Sequence, residues 1–365
     1  MAWVGDSKRH SEASKKAWET IRRKKMLEAR GEQDQAQNQI AQTQLKEEQK
    51  QEVLESKVEA DGITLRSCLI QPPSSAPIFY DIDGNAKFLE RVLKNNKSLV
   101  ILFRGEPSTG KTKLIQYLQY KFKKPVIRIN VTVNTEVSDL KGKWILKRSN
   151  GKVITEWVDG LITTALKTGA WLQIEEVNFM RREHQSIFYS LFDERREIIL
   201  ENKDGERITN PNLVAFLTMN PSAFLRPLIP ALKSRIDLVC EFSHLDVKRQ
   251  AKLLIEKYEC PEDLAKQISE VIDLLRKKYE GEIDFGSRDA ENWCKMLRAN
   301  GTWERRKNFI LRAFMHTVAL KHTNDKIITS SMKNVAEAVI TGKIGYEEMV
   351  KEIEEKKGED DNNGD

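Results

Sequence analysis

Between Phe79 and Ser243, five short apolar runs alternate with helical patterns, and few chain architectures accommodate that alternation. The runs are SLVILF (98–103), PVIRIN (125–130), AWLQI (170–174), LVAFLTM (213–219) and IDLVCEF (236–242). Each is short and almost continuously apolar, as a strand covered on both faces must be. Helical patterns such as KTKLIQYLQYKF and REHQSIFYSLFDERR separate them. The expectation over 79–243 is therefore an α/β domain, with a parallel five-stranded sheet and helices on both faces. After Ser243 the strand pattern stops. VKRQAKLLIEKY, EDLAKQISEVIDLLRKKY, RDAENWCKML and ERRKNFILRAFMHTVALKH predict an all-helical domain over 244–356.

The flanks read differently. Residues 1–61 begin with a basic run that includes Arg22-Arg23-Lys24-Lys25, and continue Gln/Glu/Lys-rich. Apolar residues there are too sparse for a heptad seam, which predicts a solvated helix or an unpacked arm. A Pro/Ser-rich linker over 62–78 and an acidic tail over 357–365 complete the chain. The four cysteines are scattered, without metal-site or disulfide spacing. No apolar run has the length of a bilayer span and no N-terminal signal pattern appears, so the expected location is cytoplasmic.

The first apolar run leads directly into Gly105-Glu106-Pro107-Ser108-Thr109-Gly110-Lys111-Thr112, followed by Lys113 and an amphipathic helix. This is G-x-x-x-x-G-K-[ST] in its required strand–loop–helix setting. The glycines let the backbone wrap closely enough for consecutive N–H groups to face phosphate oxygens. Lys111 adds charge for β- and γ-phosphates, and the Thr112 hydroxyl is placed to ligate Mg²⁺.

A phosphate cradle of this kind needs carboxylates at the end of another strand, and AWLQI ends in Glu175-Glu176. Glu175 is the candidate metal holder, in a position where Asp is more usual; Glu176 is the candidate base for an attacking water. The longer Glu175 side chain predicts a shifted or wetter metal shell, with turnover less certain than binding. Asn220, at the end of LVAFLTM, could bridge that water and the γ-phosphate, although alone it could equally be a turn cap. Phosphoryl transfer also benefits from a cation supplied by a neighbouring molecule. Arg235, beside a short helix before the last strand, is the better candidate and Arg226 the reserve. Arg288, at the start of a helix in the second domain, could fold over a nucleotide. For any one arginine alone, a surface ion pair is the ordinary reading.

With these residues laid out, the chain over Phe79–Lys321 resembles the MoxR branch of AAA+ ATPases, including CbbQ/NorQ/GvpN-like members. The resemblance rests on GEPSTGKT, NVTVNTEVSDLKGKW, EWVDGLITTALKTGAWLQIEEVN, LFDERREI, TMNPSAF, ALKSRIDL and FGSRDAENW, in that order. It implies an AAA+ P-loop core with a helical lid, binding ATP and Mg²⁺. It also implies an arginine finger at Arg235, sensor 1 at Asn220 and sensor 2 at Arg288. NTEVSDLKGKWILKRSNGKVITEW resembles the helix-2 insertion and EIILENKDGERITN the pre-sensor-1 insertion. The family further implies a homo-oligomeric, commonly hexameric, ring that remodels protein clients, often with a von Willebrand factor A-domain partner.

Three functions compete on the sequence. The leading one is a chaperone-like ATPase acting on a protein. A nucleic-acid motor or loader is suggested by the basic arm with Trp18, and by Lys141, Lys143, Lys147 and Arg148. A nucleotide-dependent scaffold with negligible turnover is suggested by Glu175.

Overall fold

The computed structural model describes residues 68–149, 152–221, 227–299 and 301–362. The basic and Gln/Glu/Lys-rich arm, the part of the linker before Cys68, and Arg226 lie outside the described residues.

The main sheet is built from β1 (Leu69–Ile70), β2 (Leu99–Gly105), β3 (Val126–Asn130), β6 (Trp171–Glu175), β9 (Val214–Met219) and β10 (Leu238–Phe242). Their order is β1-β3-β6-β9-β2-β10, and the five longer strands are all parallel. The expected five strands are thus present. A two-residue antiparallel strand, β1, extends the sheet beside β3 from within the expected linker. It is too short to leave a period in the sequence.

Successive residues of β2 serve opposite cores. Leu99, Ile101 and Phe103 pack with Leu114, Ile115 and Leu118 on one side. Val100 and Leu102 pack with Ile162, Leu172 and Leu217 on the other. Burial on both faces explains why the run is apolar throughout rather than alternating. Helices α1 (Asn85–Asn95), α2 (Lys111–Phe122), α3 (Val137–Lys141) and α4 (Leu161–Thr168) follow in chain order, then α5 (Phe188–Phe192) and α6 (Pro230–Lys233). The REHQSIFYSLFDERR pattern yields less helix than its periodicity suggests. It forms a 3₁₀ turn over His184–Ile187 before α5, where buried Gln185 bonds the Met180 carbonyl at 3.0 Å.

Two antiparallel hairpins project from this core: β4 (Gly142–Ser149) with β5 (Lys152–Asp159), and β7 (Glu197–Leu200) with β8 (Glu206–Thr209). They are joined by the Trp144 indole N–H on the Asn202 carbonyl and by a Lys141–Glu201 ion pair, both at 2.7 Å. Trp144, Leu146 and Val153 leave apolar surface exposed on the longer hairpin.

Beyond β10 the chain is almost all helix: α7 (Val247–Tyr258), α8 (Glu262–Lys278), α9 (Ser287–Met296) and α10 (Lys307–Phe314). A π-helical stretch, Met315–Ala319, then leads to α11 (Leu320–His322), α12 (Lys326–Thr341) and α13 (Tyr346–Asn362). A core of its own, centred on Trp293, Phe285, Phe314 and Leu275, holds them together. Two features depart from the expectation. A two-residue hairpin, β11 (Arg298–Ala299) with β12 (Thr302–Trp303), interrupts the helices. The acidic segment from Lys357 is not separate from the fold but continues α13 to Asn362, with Lys357 paired to Glu280 at 2.6 Å. No helix among the described residues is long and apolar enough to cross a membrane.

Trp293 is fully buried, and its indole N–H bonds the Ile310 carbonyl at 3.2 Å. Trp293→Ala is expected to cost about 3–5 kcal/mol of stability in denaturant unfolding. Leu146→Ala, on the exposed hairpin, should stay within about 0.5 kcal/mol of the parent.

Candidate functional site

Strand β2 ends at Gly105 and α2 begins at Lys111, so the loop between them lies at the carboxyl edge of the sheet. Gly110, the N-cap of α2, has φ +99°, which a side chain would strain. Ser108 holds a left-handed φ of 63° without being glycine, a cost that recurs where backbone groups are preset for a ligand. Lys111 is folded back over the loop, its ammonium donating to the carbonyls of Gly105 at 2.6 Å and Glu106 at 2.8 Å. Burial pushes its pKa down, against the carboxylates of Glu176, Glu106, Asp284 and Glu175, which favour the charged form. The Lys111 side chain thus sits inside the loop, held by its carbonyls.

The two expected carboxylates stand at the tip of β6 in contrasting surroundings. Glu175 Oε1 accepts from the Gln173 amide at 2.6 Å and the Thr112 hydroxyl at 3.3 Å, with Arg128 Nε at 3.7 Å. Glu176 has a left-handed φ of 56°, and its backbone N–H donates to Thr218 Oγ1 at 3.2 Å. Its Oε2 is buried without a hydrogen-bond partner. Burial raises the Glu176 pKa; Lys111 opposes the rise, Glu175 adds to it, and the Asn220 backbone N–H opposes it again. Asn220 follows directly on β9, whose Thr218 anchors Glu176, so β6 and β9 bring these residues together.

The helical part closes the other side. A Cβ on Gly286 would lie 2.7 Å from Ser108 Cβ and 3.1 Å from the Pro107 carbonyl oxygen, so α9 starts in contact with the loop. One cavity is lined by Ser108–Lys113, Arg128, Glu175, Lys257, Ser287, Arg288 and Glu291. A more apolar cavity adjoins it, with Ile78, Phe79, Tyr80, Leu245 and Leu253 in its walls.

Residues 100–236 match the AAA domain (dynein-related subfamily). The chain is 24% identical over 209 residues to the denitrification regulatory protein NirQ of Pseudomonas aeruginosa, covering 56% of this chain and 78% of that protein. It is 25% identical over 147 residues to protein CbbQ of Hydrogenophilus thermoluteolus, covering 40% of this chain and 53% of CbbQ. Over these spans the chain is similar to MoxR-type AAA+ ATPases. A match of 28% identity over 162 residues to midasin of Giardia intestinalis spans 44% of this chain but 3% of midasin.

The arginines of this chain are placed unequally. Arg288 lines the cavity above the loop, together with Ser287. Arg235 is not among the residues lining either cavity. Its Nε donates to the Tyr189 carbonyl at 3.0 Å and another guanidinium nitrogen to the Ala231 carbonyl at 2.6 Å, with the group over the Tyr189 ring. Sequence reasoning missed Arg128, Gln173, Lys257, Glu291 and the apolar Ile78–Tyr80 wall. Arg128 and Gln173 carried a usable signal, a polar residue inside an otherwise apolar strand. Lys257, Glu291 and Ile78–Tyr80 carried none, because only tertiary folding brings them to the loop.

The oxygens of Thr112 and Glu175 suit a hard divalent cation. Among the described residues no three His, Cys, Asp or Glu side chains converge to cage an ion. A metal here would therefore depend on phosphate oxygens as well, the usual situation for Mg²⁺.

The raised pKa of Glu176 has a consequence for stability. Between the ordinary value of 4.5 and its raised value, the folded chain holds a proton that the unfolded chain has released. Stability contributed by this group therefore falls as pH rises through that window. Glu176→Gln removes the buried charge, so its melting temperature should exceed the parent's at pH 8, with the gap closing towards pH 4. Equal melting temperatures at pH 8 would contradict the assigned burial.

Proposed function

We propose that the chain binds ATP with Mg²⁺ between the phosphate loop and α9, and hydrolyses it at a site completed by a neighbouring copy in a ring. The observation that carries this reading is the division of the cationic groups. Lys111, Arg128 and Arg288 line or enter the cavity, whereas Arg235 is tethered to carbonyls of its own chain away from it. A finger that cannot serve its own loop is suited to serve the next subunit's.

In this reading the N–H groups of Gly105–Thr112 and the Lys111 ammonium bind the phosphates, with Lys113 at the start of α2. Thr112 and Glu175 hold Mg²⁺, which when bound neutralises charge on the β- and γ-phosphates. Glu176 takes the proton of the attacking water, and its partnerless Oε2 is the free acceptor for it. Asn220 aligns that water. Arg288 closes over the phosphates from α9, and the neighbouring copy's Arg235 position stabilises charge in the transition state. The apolar wall of Ile78, Phe79 and Leu253 receives the base.

The work performed is remodelling or assembly of a protein client, in a ring that is commonly hexameric in this family. The exposed Trp144, Leu146 and Val153 on the β4–β5 hairpin support a protein rather than a small-molecule target. A von Willebrand factor A-domain protein is the proposed companion.

Lys111→Ala is expected to abolish hydrolysis. Arg235→Ala should lower turnover by about 10³-fold or more while leaving nucleotide affinity near the parent's. Mixing the two inactive variants should recover activity, because a loop from one then meets a finger from the other. Turnover unaffected by Arg235→Ala, or no recovery on mixing, would overturn the shared site.

A further inference from the structure

Arg128 lies in the middle of β3, between apolar neighbours, and is paired in register with Gln173 of β6. An arginine there is costly unless it has a partner. The partner it has is incomplete: Nε is 3.7 Å from Glu175 Oε1 and, although buried, makes no hydrogen bond. The rest of the residue reaches the cavity that also holds Lys111, Thr112 and Glu175. Glu175, for its part, collects the Gln173 amide, the Thr112 hydroxyl and the Arg128 charge on one oxygen.

We propose that Arg128 is the standing counter-ion of Glu175, neutralising it when no metal is bound and yielding it to a divalent cation when nucleotide and metal arrive together. The inference rests on the reading of this cavity as an ATP–Mg²⁺ site. Without a counter-ion, a metal-free nucleotide would face an uncompensated carboxylate within a few ångströms of its phosphates. With Arg128 in place that repulsion is cancelled, so the site tolerates nucleotide before the metal is seated. The long ion-pair distance and the unmade hydrogen bond leave the pair weak enough for a doubly charged cation to displace it. Arg128 is thus a positioning residue, acting through Glu175.

The test is equilibrium binding of a fluorescent ATP analogue to the full chain, in excess Mg²⁺ and in EDTA. The parent, Arg128→Gln and Arg128→Lys are compared, and thermal melting reports whether each variant folds. The ratio of the two dissociation constants, EDTA over Mg²⁺, is the readout. Arg128→Gln should raise that ratio about fivefold or more, by weakening metal-free binding selectively. Arg128→Lys, which keeps the charge and serves if the Gln variant does not fold, should stay near the parent. A ratio unchanged or lowered in Arg128→Gln, or a raised ratio in a folded Arg128→Lys, overturns the inference. If the parent binds no nucleotide in Mg²⁺, the reading of the cavity itself fails, which is a different result from an unchanged ratio.

Discussion

The N-terminus of α9 rests on the phosphate loop through a contact that leaves no room for a side chain, Gly286 against Ser108 and Pro107. The first turn of α9, with Ser287 and Arg288, reaches the site through that contact. Asp289 fixes it from behind. Burial works against its charge, but the nearby His322 ring and the bonds from Lys321 and the Gly286 N–H outweigh burial and hold its pKa below the ordinary range. The Gly286 N–H donates to Asp289 Oδ2 at 3.0 Å, ordering the first turn that carries Ser287 and Arg288. Sequence thus sets local structure, and local structure sets which cation faces the loop. A change in the packing of α11, which carries Lys321 and His322, has a direct route to Arg288.

On the opposite wall, two adjacent glutamates are treated in opposite ways by their neighbours. Glu175 is surrounded by donors, while Glu176 is half-buried, with one oxygen buried and lacking any. Environments that separate two carboxylates in this manner also separate their tasks. A carboxylate with its oxygen gathered among donors is placed to hold a cation. A desolvated one has the raised proton affinity that a base needs. The left-handed backbone at Glu176, held by Thr218, is a local strain directly after the end of β6, of the kind that recurs at ligand sites.

Much of this was legible in the sequence, for identifiable reasons. The five parallel strands could be read because burial on both faces keeps SLVILF and its companions apolar throughout. The loop was legible because wrapping phosphate demands glycine at fixed spacing. Strand β1 was not, since two residues pairing beside β3 leave no period. Nor was the continuation of α13, where the Lys357–Glu280 pair ties an acidic segment to the end of α8. In the site, residues fixed by the loop and strand ends could be placed from order alone. Lys257, Glu291 and the Ile78–Tyr80 wall could not, because tertiary folding, rather than spacing, brings them to the loop. Arg128 was visible as an oddity in PVIRIN, but its partner on the next strand required the register of β3 with β6.

The central claim is that loop and α9 act as one nucleotide-responsive unit, and amide hydrogen exchange tests it directly. Exchange on the full chain would be followed with and without ATP plus Mg²⁺, in the Glu176→Gln variant to prevent turnover. Peptides covering residues 105–112 and 284–290 should gain protection together and over the same range of nucleotide concentration. Protection confined to 105–112, with 284–290 unchanged at saturating nucleotide, would contradict the account.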